Sequence, residues 1–191
     1  MHKTSNAVEL LTADHRAIAA LFEAFDVLCA EGTAQADKGA AASAICVALS
    51  VHAQIAEEIF YPAMRAATLD AAMIDAIEVE HLLAKDLIAQ ITGMQPDDAL
   101  YDARVSVLRE TNDQHVGREE SALFAQAWRS GLDLTALGAA MGARKLQLLS
   151  EYRLMAGGRP RFDAAGDAVG RRTLAHRAAP HGAPVGVRVA A

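Results

Sequence analysis

The sequence predicts an all-α fold: an up-down-up-down four-helix bundle, a fifth shorter helix and a disordered C-terminal tail. Two observations favour helices. Apolar residues make up 52% of the 191 residues, much of this share is alanine, and only five residues are proline. Alanine has the lowest free-energy cost of entering a helix. Apolar residues also recur at steps of three and four in five successive stretches, which is the spacing of one helix face.

The breaks between these stretches are short, and they are polar or contain glycine. The expected helices run from about Asn6 to Ala30, Gly39 to Ala67, Asp70 to Thr92, Pro96 to Trp128 and Asp133 to Met155. Pro62 should kink or tighten the end of the second helix, and Asp70 is the expected cap of the third. Helices joined by short connections pack as antiparallel neighbours. We therefore expect one bundle domain over residues 1–156.

The composition changes in residues 157–191. This stretch is made mainly of Gly, Ala, Pro and Arg without a period, and it has six arginines against two aspartates. Such a segment cannot bury enough apolar surface to offset the entropy lost on ordering. We expect a disordered, positively charged tail. A simple extension is favoured over a segment that contacts nucleic acid or an acidic partner.

The overall charge and the apolar runs exclude several classes of function. The formal net charge is -6 and the sequence pI is about 5.6, which argues against a nucleic-acid-binding body. No uninterrupted run of about 18 apolar residues suggests a membrane span, and residues 1–9 contain no apolar signal segment. We expect a cytoplasmic protein with neither nucleic acid nor membrane as partner.

Four of the seven histidines lie near the middle of four different predicted helices, on the stripes that should face inward. They are His15, His52, His81 and His115. In an antiparallel bundle these positions come to a similar height and can converge. One buried histidine is usually an ordinary core residue. Four together would each need a partner, at roughly 1–3 kcal/mol for each unmet polar group. A metal ion satisfies several imidazole nitrogens at once, so the pattern predicts a metal site.

Carboxylates accompany two of these histidines. Glu119 follows His115 at i+4, on the same helix face, so both side chains can reach one ion. In the second helix the i+4 position after His52 is Ala56, and Glu57 stands at i+5. A π-type turn would bring Glu57 onto the histidine face. Glu57 is the favoured ligand here, and the alternatives are Glu58 or no glutamate at all.

Imidazole and carboxylate ligands together suit iron, manganese or zinc better than copper or magnesium. The sequence has no glycine-rich phosphate loop and no G-x-S-x-G motif, so an organic substrate site is not indicated. We expect Glu120 to face solvent or to contact a ligand from outside. Four aromatic residues are expected around the centre: Phe22, Phe60, Tyr61 and Trp128.

Four segments between Leu10 and Trp128 resemble the hemerythrin-like HHE cation-binding domains. They read DHRAIAALF, HAQIAEEIFYPAM, EHLLAKDL and HVGREESALF. The resemblance implies a carboxylate-bridged, non-heme centre of two iron ions that binds or senses O2, NO, peroxide or iron. Manganese or zinc are the less favoured metals. Carried over by position, the ligands would be His15, His52, Glu57, His81, His115 and Glu119.

The sequence departs from this family at two positions. Lys85 stands where an oxygen-carrying hemerythrin has a second histidine, one turn after His81, which disfavours reversible oxygen carriage. Ala56 stands where HHE domains usually carry a glutamate, so the bridging carboxylate and the second metal stay open. A non-catalytic binding or sensing protein is favoured. The alternatives are an enzyme with peroxidase-like, catalase-like or nitric-oxide-handling activity, and a helical interaction domain with a structural metal.

Overall fold

The structure is a computed structural model that describes residues 5–67 and 71–155. Within these ranges the regular elements are all helices, so the prediction of an all-α fold is confirmed. We number five helices in chain order: α1 (Ala7–Ala30), α2 (Gln35–Ala67), α3 (Ala71–Thr92), α4 (residues 101–129) and α5 (Leu134–Met155). The expected cap Asp70 and the expected tail, residues 157–191, lie outside the described residues.

Two side chains cap the N-terminus of α1. The Asn6 side chain accepts a hydrogen bond from the backbone N–H of Glu9 (3.0 Å), and the Glu9 carboxylate accepts one from the backbone N–H of Asn6 (3.2 Å). This reciprocal capping box satisfies two N–H groups that have no partner inside the helix.

The start of α4 was predicted too early. Residues 96–100 form turns, and the helix begins at Tyr101. Leu100 has a φ of 68°, in the left-handed region, and a right-handed helix cannot continue through such a residue. The Asp98 side chain accepts a hydrogen bond from the backbone N–H of Gln95 (2.7 Å), so this acid stabilises the turn.

Two helices contain one π-helical segment each. In α2 it spans Ala56–Phe60, and in α4 it spans Glu119–Leu123. The N–H of the residue after each segment reaches back five residues, from Tyr61 to the carbonyl of Ala56 and from Phe124 to that of Glu119. The π-type turn predicted in α2 is therefore present. Pro62 follows it without ending the helix, so the turn before this proline is widened rather than tightened.

The helices enclose two apolar clusters with a polar layer between them. One cluster contains Leu11, Ile55, Ile77 and Leu123, and the other contains Ile18, Leu49 and Leu108. Along α1 the order is Leu11, His15, Ile18, and the other three helices likewise place their histidine between the two clusters. The histidine layer is therefore held from both ends by packed apolar side chains.

By length and composition alone α2 could cross a membrane, a test that core helices of globular proteins also pass. Fifty-six per cent of its most apolar window is buried inside the bundle, as in the core helix of a globular domain. The same helix carries His52 into the polar layer.

α5 lies against α1 and α2, and Gly138 permits its close approach to the start of α1. A Cβ atom at Gly138 would lie 2.6 Å from the carbonyl carbon of Asn6 and closer still to the carbonyl oxygen of Ser5. At Gly142, one turn further, a Cβ would meet only the Leu10 side chain, at an ordinary 3.7 Å.

We expect Gly138→Ala to lower the free energy of unfolding by about 1–3 kcal/mol, because backbone must move to admit the methyl group. Gly142→Ala is the matched control, and it should be neutral or stabilise by up to about 1 kcal/mol, since alanine favours helix over glycine. Denaturant unfolding of both metal-free variants measures the difference. Equal effects would contradict this account of how α5 packs.

Candidate metal centre

Four buried histidines from four helices lie together, and three of them direct their Nε2 atoms toward one carboxylate. His15, His52, His81 and His115 are between 2% and 5% exposed, and Glu119 is fully buried. Glu119 Oε2 lies 3.0 Å from His15 Nε2, 3.5 Å from His115 Nε2 and 3.8 Å from His52 Nε2. One ligand atom from each of these four residues fits within 4.8 Å of the others.

His81 lies at the edge of this group. Its Nε2 is 3.3 Å from His115 Nε2 and 3.3 Å from the Tyr61 hydroxyl oxygen. That hydroxyl donates a hydrogen bond of 2.7 Å to Glu119 Oε1, so the second oxygen of the central carboxylate is also bound. Burial and the charge of Glu119 raise the pKa of Tyr61 well above 10, which keeps the phenol protonated in the metal-free protein.

The central carboxylate remains charged although it is buried. Burial opposes ionisation of Glu119, but the hydrogen bonds with His115 and His15 outweigh it and lower its pKa well below 4.5. Burial likewise opposes protonation of His15, yet Glu119 and then Glu120 raise its pKa above 6.5. Burial lowers the pKa of His52 to about 4, so this ring is neutral at physiological pH.

A carboxylate faces the outer nitrogen, Nδ1, of each of the four rings. His15 Nδ1 donates to Glu120 Oε1 at 2.8 Å, and His81 Nδ1 donates to Glu57 Oε1 at 2.9 Å. The other two separations are longer. Glu80 Oε2 lies 3.5 Å from His115 Nδ1, and Asp14 Oδ2 lies 3.9 Å from His52 Nδ1. A carboxylate on Nδ1 fixes the tautomer and leaves the Nε2 lone pair for a metal.

The same arrangement occurs twice in the chain. Asp14 directly precedes His15 on α1 and faces the histidine of α2, and Glu80 directly precedes His81 on α3 and faces the histidine of α4. The π segments match as well: each begins four residues after its histidine, and the second residue of each is a glutamate bonded to a histidine of another helix. We call these two units, α1 with α2 and α3 with α4, the two halves of the centre.

The halves differ at one inner position. Where α4 has Glu119, α2 has Ala56, and both residues are fully buried at the start of a π segment. Glu57 corresponds by position to Glu120. Both are partly exposed, and both contact a histidine from outside. The centre therefore contains one inner carboxylate where a symmetric arrangement would have two.

The predicted ligands thus occupy two kinds of position. Five of them come together around Glu119: His15, His52, His81, His115 and Glu119 itself. Glu57 is instead directed to His81 Nδ1 and to the Lys85 ammonium, 2.6 Å away, and these contacts lower the pKa of its carboxyl. As a direct ligand, Glu57 stays a prediction. The alternative, Glu58, bonds Arg144 of α5 (2.6 Å) and Gln54.

Several residues of the site were not predicted from the sequence. Asp14 and Glu80 were missed, although an acidic residue directly before each of two histidines was a readable signal. Tyr61 was predicted only as an aromatic neighbour, and its hydroxyl bonds the central carboxylate. Trp128 was wrongly placed near the centre, since 58% of its surface is exposed.

The side chains present fit a metal ion. The inner nitrogen of His52, Nε2, is buried without a hydrogen-bond partner in the described part of the chain. Buried polar atoms left this way are destabilising and call for an explanation, such as an ion. Inward imidazole nitrogens around a carboxylate, on facing helices of a bundle, are a recurrent way to bind transition metals.

A cavity adjoins the histidine layer between α2, α3 and α4. Its volume is about 20 Å³, room for roughly one water-sized molecule, and its walls are mainly apolar. His52, His81 and His115 line it, and so do Ala84, Lys85 and Ile88. A small ligand in this cavity would be next to the cluster.

Comparisons with known proteins agree with this geometry. Among curated proteins no match was found. A solved structure, that of a hemerythrin HHE cation-binding domain-containing protein from Mycobacterium kansasii, superposes with a TM-score of 0.66 at 22% identity, covering 81% of this chain and 95% of that one. This likeness supports the fold. The sequence model of the hemerythrin HHE cation-binding domain matches residues 6–127, which include all four histidines and both π segments. The chain belongs to the hemerythrin HHE cation-binding family.

Proposed function

We propose that this protein holds a non-heme centre of two iron ions in an up-down-up-down bundle and binds or senses O2, NO, peroxide or iron through it. The observation that carries the proposal is the convergence of three buried imidazole Nε2 atoms on Glu119, with the fourth, that of His81, next to His115 Nε2. Imidazole with carboxylate is a donor set that suits iron, with manganese and zinc as competitors.

Different residues of the chain would bind the metal, orient its ligands and exclude water at such a centre. The inner nitrogens and Glu119 would hold the metal, and bound iron would supply open coordination positions for a small ligand. The outer carboxylates orient the rings, and the two apolar clusters keep bulk water away. His15 hydrogen-bonds carboxylates through both ring nitrogens, so it must release the proton on Nε2 before it can ligate.

The cavity favours a small ligand with little charge. Leu49, Ala53, Ala84 and Ile88 line it beside the histidines. These apolar walls offer little that would compensate the desolvation of a charged or large polar molecule. We therefore favour O2 or NO, with peroxide also small enough to enter.

Protein expressed with iron and purified anaerobically should contain close to two irons per chain by elemental analysis. NO added to the reduced protein should change its visible and EPR spectra. His52→Ala and His115→Ala should each lower the metal content by at least half, because each removes an inner nitrogen. His176→Ala, outside the segment that matches the family, is the matched control and should leave the content unchanged.

Absence of any transition metal above trace in the wild-type protein would overturn the proposal. Bound iron that leaves its spectra unchanged with NO, O2 and peroxide would indicate a purely structural metal. Sustained turnover of peroxide or NO would instead identify an enzyme.

A further inference from the structure

α5 contacts the centre although it lies beyond residues 6–127, the part of the chain that matches the family. Two neighbouring cations near its middle, Arg144 and Lys145, bond acidic residues of α2 and α1. The Lys145 ammonium forms an ion pair with Asp14 of α1. The Arg144 guanidinium bonds Glu58 in the π segment of α2, at 2.6 and 3.0 Å. The two pairs differ in burial, because the Asp14 side chain is 8% exposed and that of Glu58 is 38% exposed.

Asp14 connects Lys145 to the histidine layer. One of its oxygens, Oδ1, pairs with Lys145, and the other, Oδ2, faces His52 Nδ1 at 3.9 Å. Neither Oδ2 nor Nδ1 has a hydrogen-bond partner within the described residues. The two atoms are complementary, since Asp14 Oδ2 can accept a hydrogen bond and a His52 Nδ1–H can donate one.

A buried carboxylate beside a metal centre needs a cation to offset its desolvation. Glu80 is the corresponding acid of the other half, and its cation comes from one of the four helices that carry the histidines. Arg118 of α4 lies 3.0 Å from it. Glu57 has Lys85, on α3. For Asp14 the cation comes from α5, outside the four helices that carry the histidines.

We propose that α5 positions a metal-binding histidine: Lys145 holds Asp14, and Asp14 Oδ2 accepts the Nδ1–H of His52, so that His52 Nε2 presents its lone pair to the centre. The proposal rests on the metal-binding function proposed above. Lys145 and Asp14 are positioning residues, because neither takes a place among the inner nitrogens around Glu119.

The test measures Zn2+ affinity of the full-length chain by competition with a chelator. Lys145→Met should weaken Zn2+ binding by about 10–100-fold, the usual effect of losing an outer-shell partner. Arg144→Met is the matched control, because it removes a neighbouring cation and a more exposed ion pair on the same helix. It should change the affinity by less than about threefold, in line with the small net free energy of exposed ion pairs.

A double-mutant cycle establishes the route of the effect. Asp14→Asn should weaken Zn2+ binding as much as Lys145→Met does, and adding Lys145→Met to Asp14→Asn should cause little further loss. Lys145→Arg should restore most of the affinity, because the charge is kept. Additive losses in the double variant would overturn the proposal, as would equal losses in Arg144→Met and Lys145→Met.

Histidine 15N NMR of the Zn2+-loaded protein gives a readout that general loss of packing would not move. His52 should carry its proton on Nδ1 in the wild-type chain and in Lys145→Arg. Lys145→Met, if it folds, should show weakened or exchanging Nδ1–H; if it does not, Asp14→Asn serves in its place. An unchanged His52 signal and affinity in these variants overturns the role of α5 and leaves the metal site standing, whereas a wild-type chain that binds no metal overturns both.

Discussion

Replacing Glu119 by glutamine should cause the largest loss of metal of any single change in this protein. The residue is fully buried, and three imidazole Nε2 atoms lie within 3.8 Å of its Oε2. Glutamine keeps the shape and can still accept the hydrogen bond from Tyr61, but it cannot offer a negative charge to an ion. We expect affinity to fall by more than the roughly 10–100-fold that follows loss of an outer-shell partner.

The loss of metal should appear as a loss of stability. A ligand that binds only the folded state adds about 2.7 kcal/mol at a free concentration 100 times Kd. For a domain of this size the difference corresponds to roughly 5–10 °C in Tm. Metal should therefore raise the Tm of the wild-type chain by this amount and leave that of Glu119→Gln almost unchanged.

Glu120→Gln is the matched control for Glu119→Gln, since it changes the adjacent carboxylate, which is bonded to the outer nitrogen of His15. Glu120→Gln should lower the metal affinity less than Glu119→Gln does.

An NMR titration of the metal-free protein tests the role of Glu119 independently. The pKa of His15 should fall in Glu119→Gln, because Glu119 contributes most to raising it. Wild-type metal content in Glu119→Gln would contradict the central role of this carboxylate.

Ala56→Glu should have the second large effect, and its sign depends on whether metal is present. Ala56 is fully buried and occupies in α2 the place that Glu119 occupies in α4. A carboxylate there would complete the symmetric arrangement. We expect the more weakly held ion to bind about tenfold more tightly, a difference of 1.4 kcal/mol. Chelator titration of the iron-loaded protein measures it.

The metal-free Ala56→Glu chain should be less stable than wild type by about 3 kcal/mol, because a buried charge is then incompletely compensated. Ala42→Glu, at another buried alanine of α2 in the apolar cluster of Ile18, Leu49 and Leu108, is the control. It should destabilise the metal-free chain similarly and gain nothing from metal. Weaker metal binding by Ala56→Glu than by wild type would mean that the inner position has no room for a carboxylate, which would also favour Glu57 as a ligand already in place.

Helix type and order could be predicted from the sequence, because the apolar period is strong in all five stretches and alanine favours helix throughout. Boundaries were harder where a local conformation decided them. Proline and acids at 96–98 resemble a helix start, yet the left-handed backbone of Leu100 delays α4 to Tyr101. The role of Gly138 in α5 was likewise not predictable, because it depends on the proximity of Ser5 and Asn6, which are distant in sequence.

The inner histidines could be predicted because each lies on an apolar stripe at mid-helix height. The outer carboxylates were harder to predict, since contact between Asp14 and a ring on α2 depends on rotation of neighbouring helices. The same holds for Lys145, whose partner is distant in sequence. The π turn in α2 was predictable from the i+5 spacing of Glu57, but that in α4 was not, because Glu119 already stands at i+4.

The pattern of acid, histidine and π segment is repeated in the two halves, but the two halves can be substituted independently. A dimer of identical helical hairpins related by a twofold axis would place every change at both inner positions at once. Here both hairpins belong to one polypeptide, so Ala56 and Glu119 can differ, and each side of the candidate metal centre can have its own charge. Because one polypeptide contains both halves, an asymmetric centre can form within a nearly symmetric arrangement of helices.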